Sequence, residues 1–142
     1  AKLFDAYKNT MDSLALSFPQ TKFIHVTVPL TSDPKDLKNW RTGAKMLLQK
    51  TLNQPLDEEI VNKQRNEFNE LLKKAYEKKA PIFDLADIEA TFPNGKQKDF
   101  SLNGKRYLYL VPDYTNDGGH LNEMGRKVVA AKLLVFLTQI LD

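Results

Sequence analysis

Only two histidines occur in the 142 residues, so the candidates for a proton-transfer group are few. His25 lies in the apolar run Lys22–Val28 and reads as a hydrogen-bonded sheet histidine. His120 sits in a polar, glycine-rich stretch, Asp113-Tyr114-Thr115-Asn116-Asp117-Gly118-Gly119-His120-Leu121-Asn122. Gly118 and Gly119 let the backbone turn back sharply. That turn would set the Asp117 carboxylate on the Nδ1 proton of His120. A carboxylate there fixes the tautomer and steadies the imidazolium formed when Nε2 takes a proton from a hydroxyl. A helix N-terminus just beyond would disfavour the imidazolium at rest and keep the base free. Two other readings fit the same residues. Asp-Gly-Gly is also a plain turn. Asp113, Asp117, His120 and Glu123 also form a mixed oxygen and nitrogen donor set for a metal, although their spacing matches no strict zinc pattern and Glu123 has a role in the first helical turn.

The elements that must position this pair follow from periodicity. Leu3, Phe4, Tyr7, Met11 and Leu14 recur at spacings of three and four, which predicts a helix up to about Leu16. This stripe starts at once, with no capping residue before it, so the chain reads as processed or as preceded by something upstream. Lys22–Val28 is rich in β-branched residues between Pro19 and Pro29 and predicts a strand buried on both faces, as in a parallel sheet. Leu37–Leu52 reads as helical, and Asp57 caps a longer helix with the stripe Ile60, Gln64, Phe68, Leu71, Leu72 and Ala75. Ile82–Ala86 reads as a second buried strand. Phe100, Leu102, Tyr107 and Tyr109 alternate about Asn103-Gly104, which predicts a hairpin. Asn122 caps a last helix over Glu123 to Leu141. This order implies α/β architecture with parallel strands and crossover helices in one domain, 1–142, with fewer strands than such a sheet needs. Ligands in open α/β sheets bind beyond the carboxyl ends of the strands. The loops after Val28 and after Ala86 should therefore share an edge with His120, which makes Thr31, Ser32 and Asp33 candidates for touching substrate beside their plainer reading as loop residues.

Asp117-Gly118-Gly119-His120-Leu121-Asn122-Glu123-Met124-Gly125-Arg126, followed by an apolar helix, resembles the last sequence block of the SGNH (GDSL-type) hydrolases. In that family an Asp-x-x-His pair precedes the C-terminal helix. Phe23–Leu30 resembles a later parallel strand of the family with its Pro-containing loop. Arg65–Leu72 resembles the helix before the next strand, and Ile82–Ala86 that strand. The resemblance implies a flavodoxin-like three-layer α/β/α fold of which this chain is the C-terminal portion, without the N-terminal strands. It implies that His120 is general base and then acid, that Asp117 orients it, and that the substrate is an ester, such as an acylated carbohydrate. The family's nucleophilic serine and its oxyanion-hole glycine and asparagine have no counterpart. Ser13 and Ser17 fall on the first helix, Ser32 and Ser101 in or beside loops, and none follows a strand in a Gly-Asp-Ser context. The missing groups would come from an N-terminal portion of the same domain, as a separate chain or lost, and this chain alone is expected to be inactive. The alternatives are a non-catalytic carbohydrate-binding or degenerate SGNH module, and a metal-dependent hydrolase built on the acidic cluster.

Composition narrows the classes further. There is no cysteine, which excludes disulfides, thiolate catalysis and Cys-ligated zinc. The net charge of +3 comes from the mixed-charge segment Asp33–Lys79, a solvated face and not a nucleic-acid footprint. No apolar run reaches the ~18 to 20 residues that span a bilayer. No cofactor is implied. The compartment stays open between an exported bacterial location and the cytoplasm.

Overall fold

The first element, α1 (Lys2–Ser17), ends as expected before Pro19. The computed structural model describes residues 2–36 and 57–141, and the helix expected over Leu37–Leu52 lies outside the described residues. Phe4 is the residue α1 buries. With Tyr7 and Met11 it packs on Leu72 and Tyr76, while Leu3, at the head of the stripe, stays exposed.

The strand β1 (His25–Val26) is shorter than the predicted Lys22–Val28. It pairs in parallel with β2 (Ile82–Phe83), His25 opposite Ile82 and Val26 opposite Phe83. Its burial reverses the expectation of an apolar interior. His25 and Thr27 are buried and Val26 is 46% exposed. The polar residues tolerate this because each has partners. The Tyr7 hydroxyl and His25 Nδ1 are 2.7 Å apart, and the His25 ring stacks on Tyr76 at 3.8 Å. Thr27 Oγ1 donates to Asp84 Oδ1 (3.1 Å) and accepts from the Ala86 N–H (2.9 Å). His25 is thus the sheet histidine the sequence implied, and burial lowers its pKa against the opposing pull of Asp12.

The predicted strand Ile82–Ala86 stops after Phe83. Asp84 accepts from the Asp87 N–H and caps a short helix, α3 (Leu85–Ala90). A local side-chain cap here outcompetes the strand ladder. The chain beyond Ala86 therefore continues as helix and not as a loop at a sheet edge.

The long helix α2 (Asp57–Tyr76) starts at Asp57, and part of its predicted apolar stripe turns inward: Leu72 is buried and Phe68 and Ala75 pack beside it against Phe4 and Tyr76. Ile60 and Leu71 are exposed, and the buried residues are Asn62, Asn69, Leu72 and Tyr76. Asn62, Asn66 and Asn69 recur at helical spacing, and each grips a peptide with its side-chain amide. Asn69 serves the N–H and C=O of Val28 (2.7 and 2.9 Å). Asn66 serves those of Leu108 (3.0 and 3.1 Å), and Asn62 those of Thr31 (2.9 Å each). His25 and Thr27 donate toward β2, so Val28 offers its groups to the other side, where a further strand would lie. The helix takes that strand's place.

The hairpin forms as expected from β3 (Asp99–Leu102) and β4 (Lys105–Leu108), with Phe100 opposite Tyr107. Asn103 and Gly104 both have positive φ, 53° and 76°, as a two-residue type I′ turn requires. The last helix, α4 (Glu123–Leu141), also starts where expected. The described residues form a mixed α/β arrangement with one small parallel sheet and one antiparallel hairpin. Its main core is Leu30, Ala86, Ala90, Leu110, Val111 and Tyr114, directly beneath the loop that carries His120.

Candidate functional site

Two anchors hold the loop between Tyr114 and Asn122. The first is the cap of α4. Asn122 Oδ1 accepts from the Gly125 N–H (2.9 Å), its Nδ2 donates to the Asp113 carbonyl (2.9 Å), and its N–H donates to the Tyr114 carbonyl (2.8 Å). The second is the chain leaving β1. The Leu110 N–H donates to the Thr31 carbonyl (3.0 Å), forming an isolated parallel bridge with Ser32, and the Ser32 N–H donates to the Gly118 carbonyl (2.9 Å). The segment after Val28 and the His120 loop therefore do meet.

Between these anchors the loop folds back on itself. Gly118 has φ +87°, a conformation that side chains rarely adopt. Asp117 Oδ1 accepts from the backbone N–H of Gly119 (2.9 Å) and of His120 (2.8 Å), and from the Thr115 hydroxyl (3.3 Å). Its Oδ2 lies 2.7 Å from His120 Nδ1. The Gly119 and His120 N–H bonds, then the His120 side chain, hold the Asp117 carboxyl well below the usual carboxylate range. An ionised carboxylate can only accept. A neutral ring meeting that carboxylate would carry its proton on Nδ1 and leave the Nε2 lone pair free. The expected juxtaposition of Asp117 and His120 is present, and it suits the tautomer a general base needs. The pair is open to solvent, with the His120 side chain 90% exposed and that of Asp117 59%.

The other sequence-stated candidates fall out differently. Ser32 is buried and Thr31 half-buried, with the Thr31 hydroxyl accepting from Asn62 Nδ2 (2.8 Å). They position the loop and present little surface to a ligand. Asp33 turns to the Lys35 N–H (2.9 Å). The metal-cluster reading is not supported by the placement of its residues. Among the described residues no three His, Asp or Glu side chains converge to hold an ion, and Glu123 pairs with Lys127 (2.7 Å). Also among the described residues, no helix is long and apolar enough to cross a membrane. An open depression of about 510 Å³ lies at the start of α4, lined by Asn116, Asn122, Glu123, Met124, Lys127 and Val128, with neither Asp117 nor His120 in its lining. It combines amides with two apolar side chains, a lining the sequence did not single out because its residues come from both the loop and the helix.

Gly125 sets the approach of α4 to this loop. A Cβ there would meet the Tyr114 carbonyl oxygen at 2.7 Å and Tyr114 Cβ at 2.8 Å. In a free helix Gly→Ala gains about 1 kcal/mol. Here the contact is with backbone, which cannot step aside, and overpacking of this kind costs about 1 to 3 kcal/mol. Gly125→Ala is expected to lower the melting temperature and to displace the Asp117–His120 contact. Thermal unfolding monitored by circular dichroism checks the first, and an unchanged or raised midpoint would show that the helix shifts freely.

Comparison of the chain with protein-family models, with curated proteins and with solved structures gives no match.

Proposed function

We propose that this chain carries the base and its orienting carboxylate for a serine-type ester hydrolysis, with the nucleophile and oxyanion hole supplied from outside these 142 residues. In this reading it is the C-terminal portion of an SGNH-like domain of flavodoxin-like three-layer α/β/α type, and its substrate is a small or carbohydrate-linked ester. The observation that carries the reading is the 2.7 Å contact between His120 Nδ1 and Asp117 Oδ2, on a loop that runs directly into the capped final helix. The parallel pairing of β1 with β2 and the bond from Ser32 to Gly118 support it, because they set the loop of the pair against the segment that follows a parallel strand.

His120 Nε2 would take the serine proton as the hydroxyl attacks the ester carbonyl and return it to the leaving alcohol, and Asp117 would stabilise the imidazolium between the two steps. Removing the serine of a triad costs about 10⁶ in kcat. The isolated chain is therefore expected to show no turnover of an activated ester that depends on His120, with His120→Ala matching the unsubstituted chain. The product of the intact gene should be labelled on a serine by a fluorophosphonate, and labelling should fall with His120→Ala. If that product takes no label, the esterase reading fails. The solvent exposure of His120 favours a second reading, a non-catalytic binding module on the same scaffold. It gains if the intact product takes no label yet binds an acylated glycan.

A further inference from the structure

The side chain that decides where Asp117 points is Thr115. Its hydroxyl stands between two groups with fixed demands. The Gly118 N–H, which can only donate, lies 2.9 Å from Oγ1 and claims a lone pair. The hydroxyl proton is thereby directed to the other neighbour, Asp117 Oδ1, at 3.3 Å. That bond is long for O–H···O, so Thr115 acts on the carboxylate through direction more than strength. Thr115 itself is held firmly. It is buried, it bridges to Leu121, and its N–H donates to the Pro112 carbonyl. Asp117, in contrast, is largely exposed. A carboxylate on the surface swings freely unless something fixed holds one of its oxygens. Three donors converge on Oδ1, namely the Thr115 hydroxyl and the N–H groups of Gly119 and His120. That convergence leaves Oδ2 for the imidazole alone. Thr115 is the one side chain among the three. Its bond to Gly118 also fixes the turn that supplies the two N–H donors.

We propose that Thr115 is a positioning residue of the Asp117–His120 pair, holding Asp117 Oδ1 so that Oδ2 meets the His120 Nδ1 proton. The proposal rests on the reading of the pair as a base and its orienter. A bland alternative is that Thr115 only closes the turn through Gly118, in which case the imidazole would not sense which side chain stands there so long as the loop folds.

The two are separated by the tautomer of His120, read by nitrogen-15 NMR of the ring in this chain, with the signal assigned by comparison with His120→Gln. In the unsubstituted chain the neutral ring should carry its proton on Nδ1, whereas free imidazole side chains favour Nε2. Thr115→Val should shift the ratio toward the Nε2–H form by about two- to threefold, the low end of what one hydrogen bond contributes. Thr115→Ser, which keeps the hydroxyl, should restore it. If Thr115→Val does not fold, Thr115→Ala, which admits water to the Gly118 N–H, replaces it. A folded Val or Ala variant with the original ratio overturns the proposal, and so does failure of both to fold, since the role is then structural. An unsubstituted chain that already holds the Nε2–H form overturns the base-and-orienter reading itself, a different result from loss of the Thr115 effect.

Discussion

Asn69→Leu is expected to destabilise the fold by about 3 kcal/mol, because it leaves the N–H and C=O of one residue without a partner at once. Both groups of Val28 are bonded to the Asn69 amide, at 2.7 and 2.9 Å, and Asn69 is buried. Each buried polar group left unmade costs about 1 to 3 kcal/mol. The added apolar area of leucine recovers part of this, and water reaching the half-buried Val28 recovers a little more. Asn62→Leu should cost a similar amount: the Thr31 carbonyl keeps the Leu110 N–H as a second donor, but the Thr31 N–H and hydroxyl both lose the Asn62 amide. Urea unfolding with m held constant gives both numbers. A loss below about 1 kcal/mol at Asn69 would show that α2 does not hold the strand edge through its amides.

Glu89 should make the protein less stable as pH rises from acid to neutral, opposite to the usual behaviour of paired carboxylates. Glu89 is buried in α3, and its Oε2 accepts from the Leu30 N–H at 2.7 Å. Burial pushes its pKa from 4.5 up to about 7, against the opposing effects of the Leu30 N–H and the Arg65 charge. Between those two pH values the unfolded chain is ionised while the folded chain still holds the proton. Stability associated with the neutral acid is thus fully present below about 4.5 and lost as pH rises through about 7. The difference corresponds to about 3 kcal/mol. Glu89→Gln cannot ionise and can still accept from Leu30. It should be more stable than the parent chain by up to about 3 kcal/mol at pH 8 and nearly equal to it at pH 4. Denaturation curves at the two pH values that differ by a constant offset would contradict this.

The parts of the molecule legible in the sequence are those whose causes are local. Asp117, Gly118, Gly119 and His120 lie within four residues, and a turn with a short-range hydrogen bond needs no distant partner. The Asn122 cap and the Asn103-Gly104 hairpin are legible for the same reason. The inner face of α2 was legible only in part. Apolar periodicity finds Phe68, Leu72 and Ala75, which pack against α1, but it also points to Ile60 and Leu71, which are exposed, and it misses Asn62, Asn66 and Asn69, which turn inward because what they meet is the polar edge of a strand. Three asparagines at helical spacing were the available signal. Ile82–Ala86 misled for a related reason. Its apolar content suits a buried strand, but Asp84 caps the next turn and diverts Leu85 and Ala86 into α3. The bond from Ser32 to Gly118 joins residues far apart in the chain, and no local pattern encodes it.

The asparagine face of α2 also bears on how this protein behaves at high concentration. A strand edge with unpaired N–H and C=O groups is a template for another chain, and proteins with such edges tend to assemble into fibres. At Val28 and Leu108 those groups are already occupied by side-chain amides, which satisfy the peptide but cannot propagate a ladder. The helix caps these edges without extending them, and it would have to peel away before a second molecule could add its own strand there.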